Sequence, residues 1–125
     1  MTSNHFRILY IVVFFLLIFL SGFWLSRGER PYGVLLLTVH KLLSITVVLF
    51  LTVIIAQINK SIGLGSLEWI AVVVTGIMFI GTIATGGLLS MAKPLPSIVH
   101  HLHQITPFLT LLSTAFCLYI ILSRK

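Results

Sequence analysis

Four stretches of this chain, about 8–25, 32–58, 69–89 and 97–122, are each long and apolar enough to cross a lipid bilayer as a helix. The first, Ile8 to Leu25, runs eighteen residues without a charged side chain. At a rise of ~1.5 Å per residue such a run reaches ~27 Å, close to the hydrocarbon thickness of a bilayer. Polar breaks at Ser26–Arg30, Asn59–Glu68 and Lys93–Pro96 separate the runs and are short. A soluble domain carries ~25% charged residues, whereas here the share is 8%, against 58% hydrophobic. A fold of this size has too little interior to take that much apolar side chain away from water, so the lipid bilayer is its solvent. The expected class is therefore all-α: an integral membrane four-helix up-and-down bundle forming a single transmembrane domain over residues 1–125. Short connections make sequential helices antiparallel, so helices 2 and 4 run parallel and sit diagonally.

Arg7 ahead of an apolar run could also suit a cleaved signal peptide. No small-x-small site follows, and Ser21-Gly22-Phe23-Trp24 ends the run in interfacial aromatics, so a retained helix is expected. The formal charge is +6, but the lysines and arginines lie at predicted helix ends or just inside one. That distribution fits a membrane interface and excludes a nucleic-acid-binding patch. Arg7, Lys60, Arg124 and Lys125 fall on the side of the termini, and Arg27, Arg30 and Lys93 on the other, with Lys41 inside helix 2. This narrow margin leans towards cytoplasmic termini, the membrane expected being a prokaryotic inner membrane. The single cysteine, Cys117, can form neither an intrachain disulfide nor a CxxC pair nor a CxxCH haem attachment. Its position in helix 4 suits packing. Glu29 and Glu68 lie in different breaks on opposite sides, which leaves no acid–base pair for a hydrolase or a transferase.

The chain repeats one pattern. Arg30-Pro31 is followed by eight residues and His40-Lys41; Lys93-Pro94 is followed by eight residues and His103-Gln104. Each histidine lies nine residues beyond its proline, ~13 Å along a helix, so the two are expected at equal depth. Diagonal axes in a square bundle lie ~12–14 Å apart, given neighbours packed at 8–10 Å. An imidazole on each side of an iron spans about that gap. A lone metal ion usually draws three or four ligands into a tighter cluster, so two separated histidines match the axial positions of one haem b better. Metal ligands are thus expected at His40 and His103. Small residues would let a flat ring approach: Gly81, Gly86 and Gly87 on helix 3, and Gly22 on helix 1. Arg30, Lys41 and Lys93 are candidate partners for haem propionates, though Lys41 better suits a side chain snorkelling to the interface. A stripe of Thr106, Thr110, Ser113 or Thr114, and Cys117 follows His103 at helical spacing and is expected to face inward, as are His40 and Ser44.

Alternatives remain at several points. His100, one turn before His103, could replace it as ligand or bond a propionate or quinone; His101 points elsewhere and His5 needs no role. Membrane histidines can simply bridge helices, the glycines and threonines of helix 3 can serve tight packing, and Pro107 can be only a kink.

With VHKLLS on one helix and HHLHQITPFL on another, the chain resembles the cytochrome b561-like and related small four-helix haem b membrane proteins. The resemblance implies a haem b ligated by histidines across the bundle and electrons passing between a soluble donor or quinol and an acceptor. Proteins of that group often carry a second haem at the opposite membrane surface. Here the far halves of the helices hold no histidine, so one haem is implied. The expected function is electron transfer, as a possible oxidoreductase component, with a quinone or a redox protein as partner and homo-oligomerisation open. The rivals are a non-redox subunit or assembly factor, and a small metal-ion carrier using His40, His100 and His103.

Overall fold

A computed structural model describes residues 2–28, 33–91 and 94–123, with side chains from His5 onward. Four helices account for nearly all of it: α1 (Thr2–Arg27), α2 (Val34–Ile62), α3 (Ser66–Leu89) and α4 (Ser97–Leu122), and no strand occurs among the described residues. Arg30, Pro31 and Lys93, together with Glu29, Arg124 and Lys125, lie outside the described residues.

Three helices run past the apolar stretches that announce them. α1 takes in the polar residues from Thr2, including an exposed His5, and α2 continues through Asn59–Ile62. α3 begins at Ser66, three residues ahead of Trp69. Hydropathy marks where lipid begins, whereas a helix ends where its hydrogen-bond ladder is broken. The α2–α3 break is reduced to Gly63-Leu64-Gly65. Gly63 has φ +67°, a left-handed conformation that a side chain would strain. Its N–H donates to the Asn59 carbonyl at 2.9 Å, while the Asn59 side-chain oxygen accepts from the Leu64 N–H at 3.0 Å. Two orphan groups at the helix end are thereby satisfied. Glu68, in the first turn of α3, is buried there, and a helix N-terminus favours a carboxylate.

All four helices are long and apolar enough to cross a membrane. Their outward surfaces carry large apolar side chains, among them Leu20 at 64%, Ile80 at 70% and Tyr119 at 71% exposure. In water such continuous apolar surface would drive association; in lipid it is the solvated face. Hydroxyls follow the same logic. Thr38, Thr46, Thr52, Thr75, Thr82 and Thr114 each donate to the carbonyl four residues back, because the hydrocarbon offers no water to satisfy them.

By contacts the chain divides into two compact units, Met1–Ala56 and Gln57–Lys125. In the first, α1 packs antiparallel to α2: Ser21 meets His40 near one end, and the Tyr10 and Phe50 rings meet edge-on at 6.3 Å towards the other. In the second, α3 and α4 pack antiparallel through paired hydroxyls. Thr75 and Ser113 lie 2.7 Å apart, Thr82 and Thr110 2.9 Å. Thr110, Thr114, Cys117 and Ile121 form the buried stripe of α4, so the polar stripe read from the sequence is an inward face. Thr110 and Ser113 bond across to α3 and give the pair its register.

Candidate functional site

His40 and His103 are each the seventh residue of their helix, as α2 begins at Val34 and α4 at Ser97. Each also meets the partner helix of its own hairpin in the same way. On α1, Ser21 Oγ lies 2.8 Å from His40 Nδ1. On α3, Thr85 Oγ1 lies 3.0 Å from His103 Nδ1. A glycine follows both hydroxyl residues, and the imidazole lies over it. A methyl group on Gly22 would come 3.1 Å from His40 Cε1, and one on Gly86 would come 2.8 Å from His103 Cε1. Both rings therefore rest their Cε1 corner on bare backbone and turn Nδ1 into a hydroxyl.

The fit comes from small side chains one helix away. At Gly86 the space vacated by the missing Cβ goes to the His103 ring, and Gly22 does the same for His40. Gly76, Gly81 and Gly87 have nothing within 4 Å of such a methyl among the described residues. Gly86 is thus the member of the helix 3 glycine set that touches a candidate ligand, and Gly22 is its counterpart.

Serine and threonine in helices return their proton to a carbonyl one turn back, and both residues do so here. Ser21 Oγ donates to the Ile18 carbonyl at 3.0 Å. Thr85 Oγ1 lies 2.9 Å from the Gly81 carbonyl and 3.0 Å from that of Thr82. The Thr82 carbonyl also stands 3.1 Å from His103 Nδ1. Neither hydroxyl was singled out from the sequence as a partner of a histidine. A signal was there: Ser21-Gly22 and Thr85-Gly86 recur one span before the two histidines.

The other candidates are placed as follows. His100 keeps to its own helix, its Nε2 lying 3.1 Å from the Gln104 side-chain nitrogen, and its ring meets that of His101 edge-on at 6.3 Å. His103, one turn on, makes the bond to α3, so two residues on nearly the same face have different surroundings. Lys41 is exposed on α2, directly after His40. Ser44 Oγ donates to the His40 carbonyl at 2.9 Å. Beyond His103, Pro107 lies inside α4, and its missing N–H leaves the His103 carbonyl without its usual helical donor. The Thr106 hydroxyl is buried and has no hydrogen-bond partner among the described residues. Two polar groups without the usual helical partner thus sit within one turn of His103. Cys117 is buried at 1% exposure, far along the same stripe. Among the described residues, no three His, Cys, Asp or Glu side chains gather into a metal-ion cluster.

No protein-family model, curated protein or solved structure matches this chain.

Proposed function

We propose that the chain is a membrane-embedded electron-transfer protein for one haem b, which His40 and His103 would hold. The observation that carries this reading is the duplicate cradle: two histidines at the same place in their helices, each with Nδ1 against a hydroxyl and its ring edge over a glycine. A histidine that ligates a metal through one nitrogen commonly has the other held by an oxygen acceptor, and both cradles supply one. Each cradle therefore suits a histidine that would hold a haem through its other nitrogen. A ring that served only to bridge helices would not require the same surroundings twice.

When bound, the haem supplies reversible one-electron exchange at its iron. The chain's own residues hold and orient the imidazoles, their apolar packing would exclude water, and Lys41, exposed directly after His40, is proposed as a propionate partner. Arg30 and Lys93 are proposed for the same role by their positions in the sequence. The proposed arrangement is an up-and-down four-helix bundle in which both histidines would hold the haem. A quinone or a redox protein is the proposed partner, His100 with Gln104 being polar groups near the start of α4 for a quinone to meet. A prokaryotic inner membrane with cytoplasmic termini is the proposed setting.

A non-redox subunit is the second reading, because the His103 bonds to α3 are also interhelical bonds of the kind that join membrane helices. The absorption spectrum separates the two. The purified, reduced protein is expected to show b-type Soret and α bands, lost in His40→Ala and in His103→Ala and retained in His100→Ala. A preparation that stays colourless after haem is supplied refutes the redox reading.

A further inference from the structure

We infer that Ser21 and Thr85 are positioning residues, which fix both candidate ligands as the Nδ1–H tautomer so that Nε2 carries the lone pair. This rests on the haem reading above and names the residues that prepare its ligands.

Proton bookkeeping carries it. A carbonyl oxygen can only accept, so the 3.1 Å contact between His103 Nδ1 and the Thr82 carbonyl requires a proton on Nδ1. Thr85 Oγ1 has its own proton directed at the Gly81 and Thr82 carbonyls, which leaves its lone pairs to face His103. His103 Nδ1–H is therefore shared between two acceptors. In the neutral ring the other nitrogen, Nε2, is then the basic one.

The first hairpin repeats the arrangement with different residues. Ser21 Oγ donates to the Ile18 carbonyl and so accepts from His40 Nδ1–H. The spacing matches too, since Ile18 precedes Ser21 by three residues, as Thr82 precedes Thr85. A free imidazole favours the opposite tautomer only weakly, and one good acceptor at Nδ1 reverses the preference. Gly22 and Gly86 complete the device. With the Cε1 corner lying on each glycine, the ring plane has little freedom to swing Nδ1 away from its hydroxyl. Two unlike hydroxyl residues in two separate hairpins thus perform one operation. Simple helix adhesion gives no reason for that agreement.

The test uses the full-length chain in detergent, purified without haem and labelled with 15N-histidine, at a pH above the imidazole range. Single histidine-to-glutamine variants assign the signals. His40 and His103 are expected in the Nδ1–H form. Ser21→Ala should return His40 to the solution mixture, and Thr85→Val, which leaves His103 with the Thr82 carbonyl as its remaining acceptor, should enlarge the Nε2–H fraction of His103 without restoring the full mixture, while Thr85→Ser and Ser21→Thr preserve the wild-type tautomer. On titration with haem, Thr85→Val and Ser21→Ala should bind ~10–100-fold more weakly. Their midpoint potential should rise, because a ligand without its acceptor donates less charge to ferric iron. The hydroxyl-retaining variants should restore both. Wild-type histidines found as Nε2–H overturn the inference. So does a wild type that binds haem while the valine and alanine variants keep its tautomer, affinity and potential and lose only thermal stability. A wild type that takes up no haem refutes the proposed function, and this inference with it.

Discussion

Adding a single methyl group at Gly86 tests the cradle directly. A Cβ there would lie 2.8 Å from His103 Cε1 and 3.4 Å from both ring nitrogens. Carbon atoms in good contact stand ~3.5–4.0 Å apart, so the ring must retreat by roughly 0.7 Å or more. Retreat in the direction away from α3 stretches the 3.0 Å bond to Thr85 and the 3.1 Å contact with the Thr82 carbonyl. Overpacking of this kind costs ~1–3 kcal/mol, and a weakened hydrogen bond adds ~1 kcal/mol. The neighbouring Gly87 is the control, since a methyl group there meets nothing within 4 Å among the described residues. Replacing that glycine in a helix should be neutral or stabilising by up to ~1 kcal/mol. Gly22→Ala should fall between, because its closest contact is 3.1 Å. Thermal unfolding in detergent and haem uptake followed at the Soret band should therefore rank the variants Gly86→Ala below Gly22→Ala below Gly87→Ala. Equal behaviour of Gly86→Ala and Gly87→Ala in both assays refutes the reasoning.

Three further outcomes follow from the same structure. Thr82→Val and Thr110→Val, made singly and together, should show a coupling of ~0.6 kcal/mol in a denaturant unfolding cycle, the usual size for a polar pair between membrane helices; zero coupling would mean that the 2.9 Å hydroxyl pair does not hold α3 to α4. Gly63→Ala should lower the unfolding midpoint by the equivalent of ~1–2 kcal/mol, since its φ of +67° is costly for any side chain, and an unchanged midpoint would refute that strain. Asn59→Ala should cost ~1 kcal/mol through the lost bond to the Leu64 N–H, with Asn59→Asp retaining most of the stability.

Four helices long and apolar enough to cross a membrane were legible in the residues alone. Runs without charge as long as Ile8–Leu25 have no stable place outside lipid, and in lipid a single open segment must be helical to pair its own backbone. The matching placement of His40 and His103 was legible for a similar reason, as position along a helix is a local count. Helix ends were less so: polar residues after Leu25 and after Ile58 remain helical because nothing breaks the ladder until Gly28 and Gly63.

Which neighbours the histidines face was decided by tertiary structure. His100 and His103 are three residues apart on nearly one face, and nothing local says which one meets α3. The rotation and register of α3 against α4 settle it, through contacts such as Thr75–Ser113 and Thr82–Thr110 between residues far apart in the chain. Hydropathy could not supply this, because a helix in lipid is apolar on its outer face as well as its inner one. Ser21 and Thr85 look like ordinary small residues in sequence, and only the packing of one helix on the next turns each hydroxyl towards an imidazole.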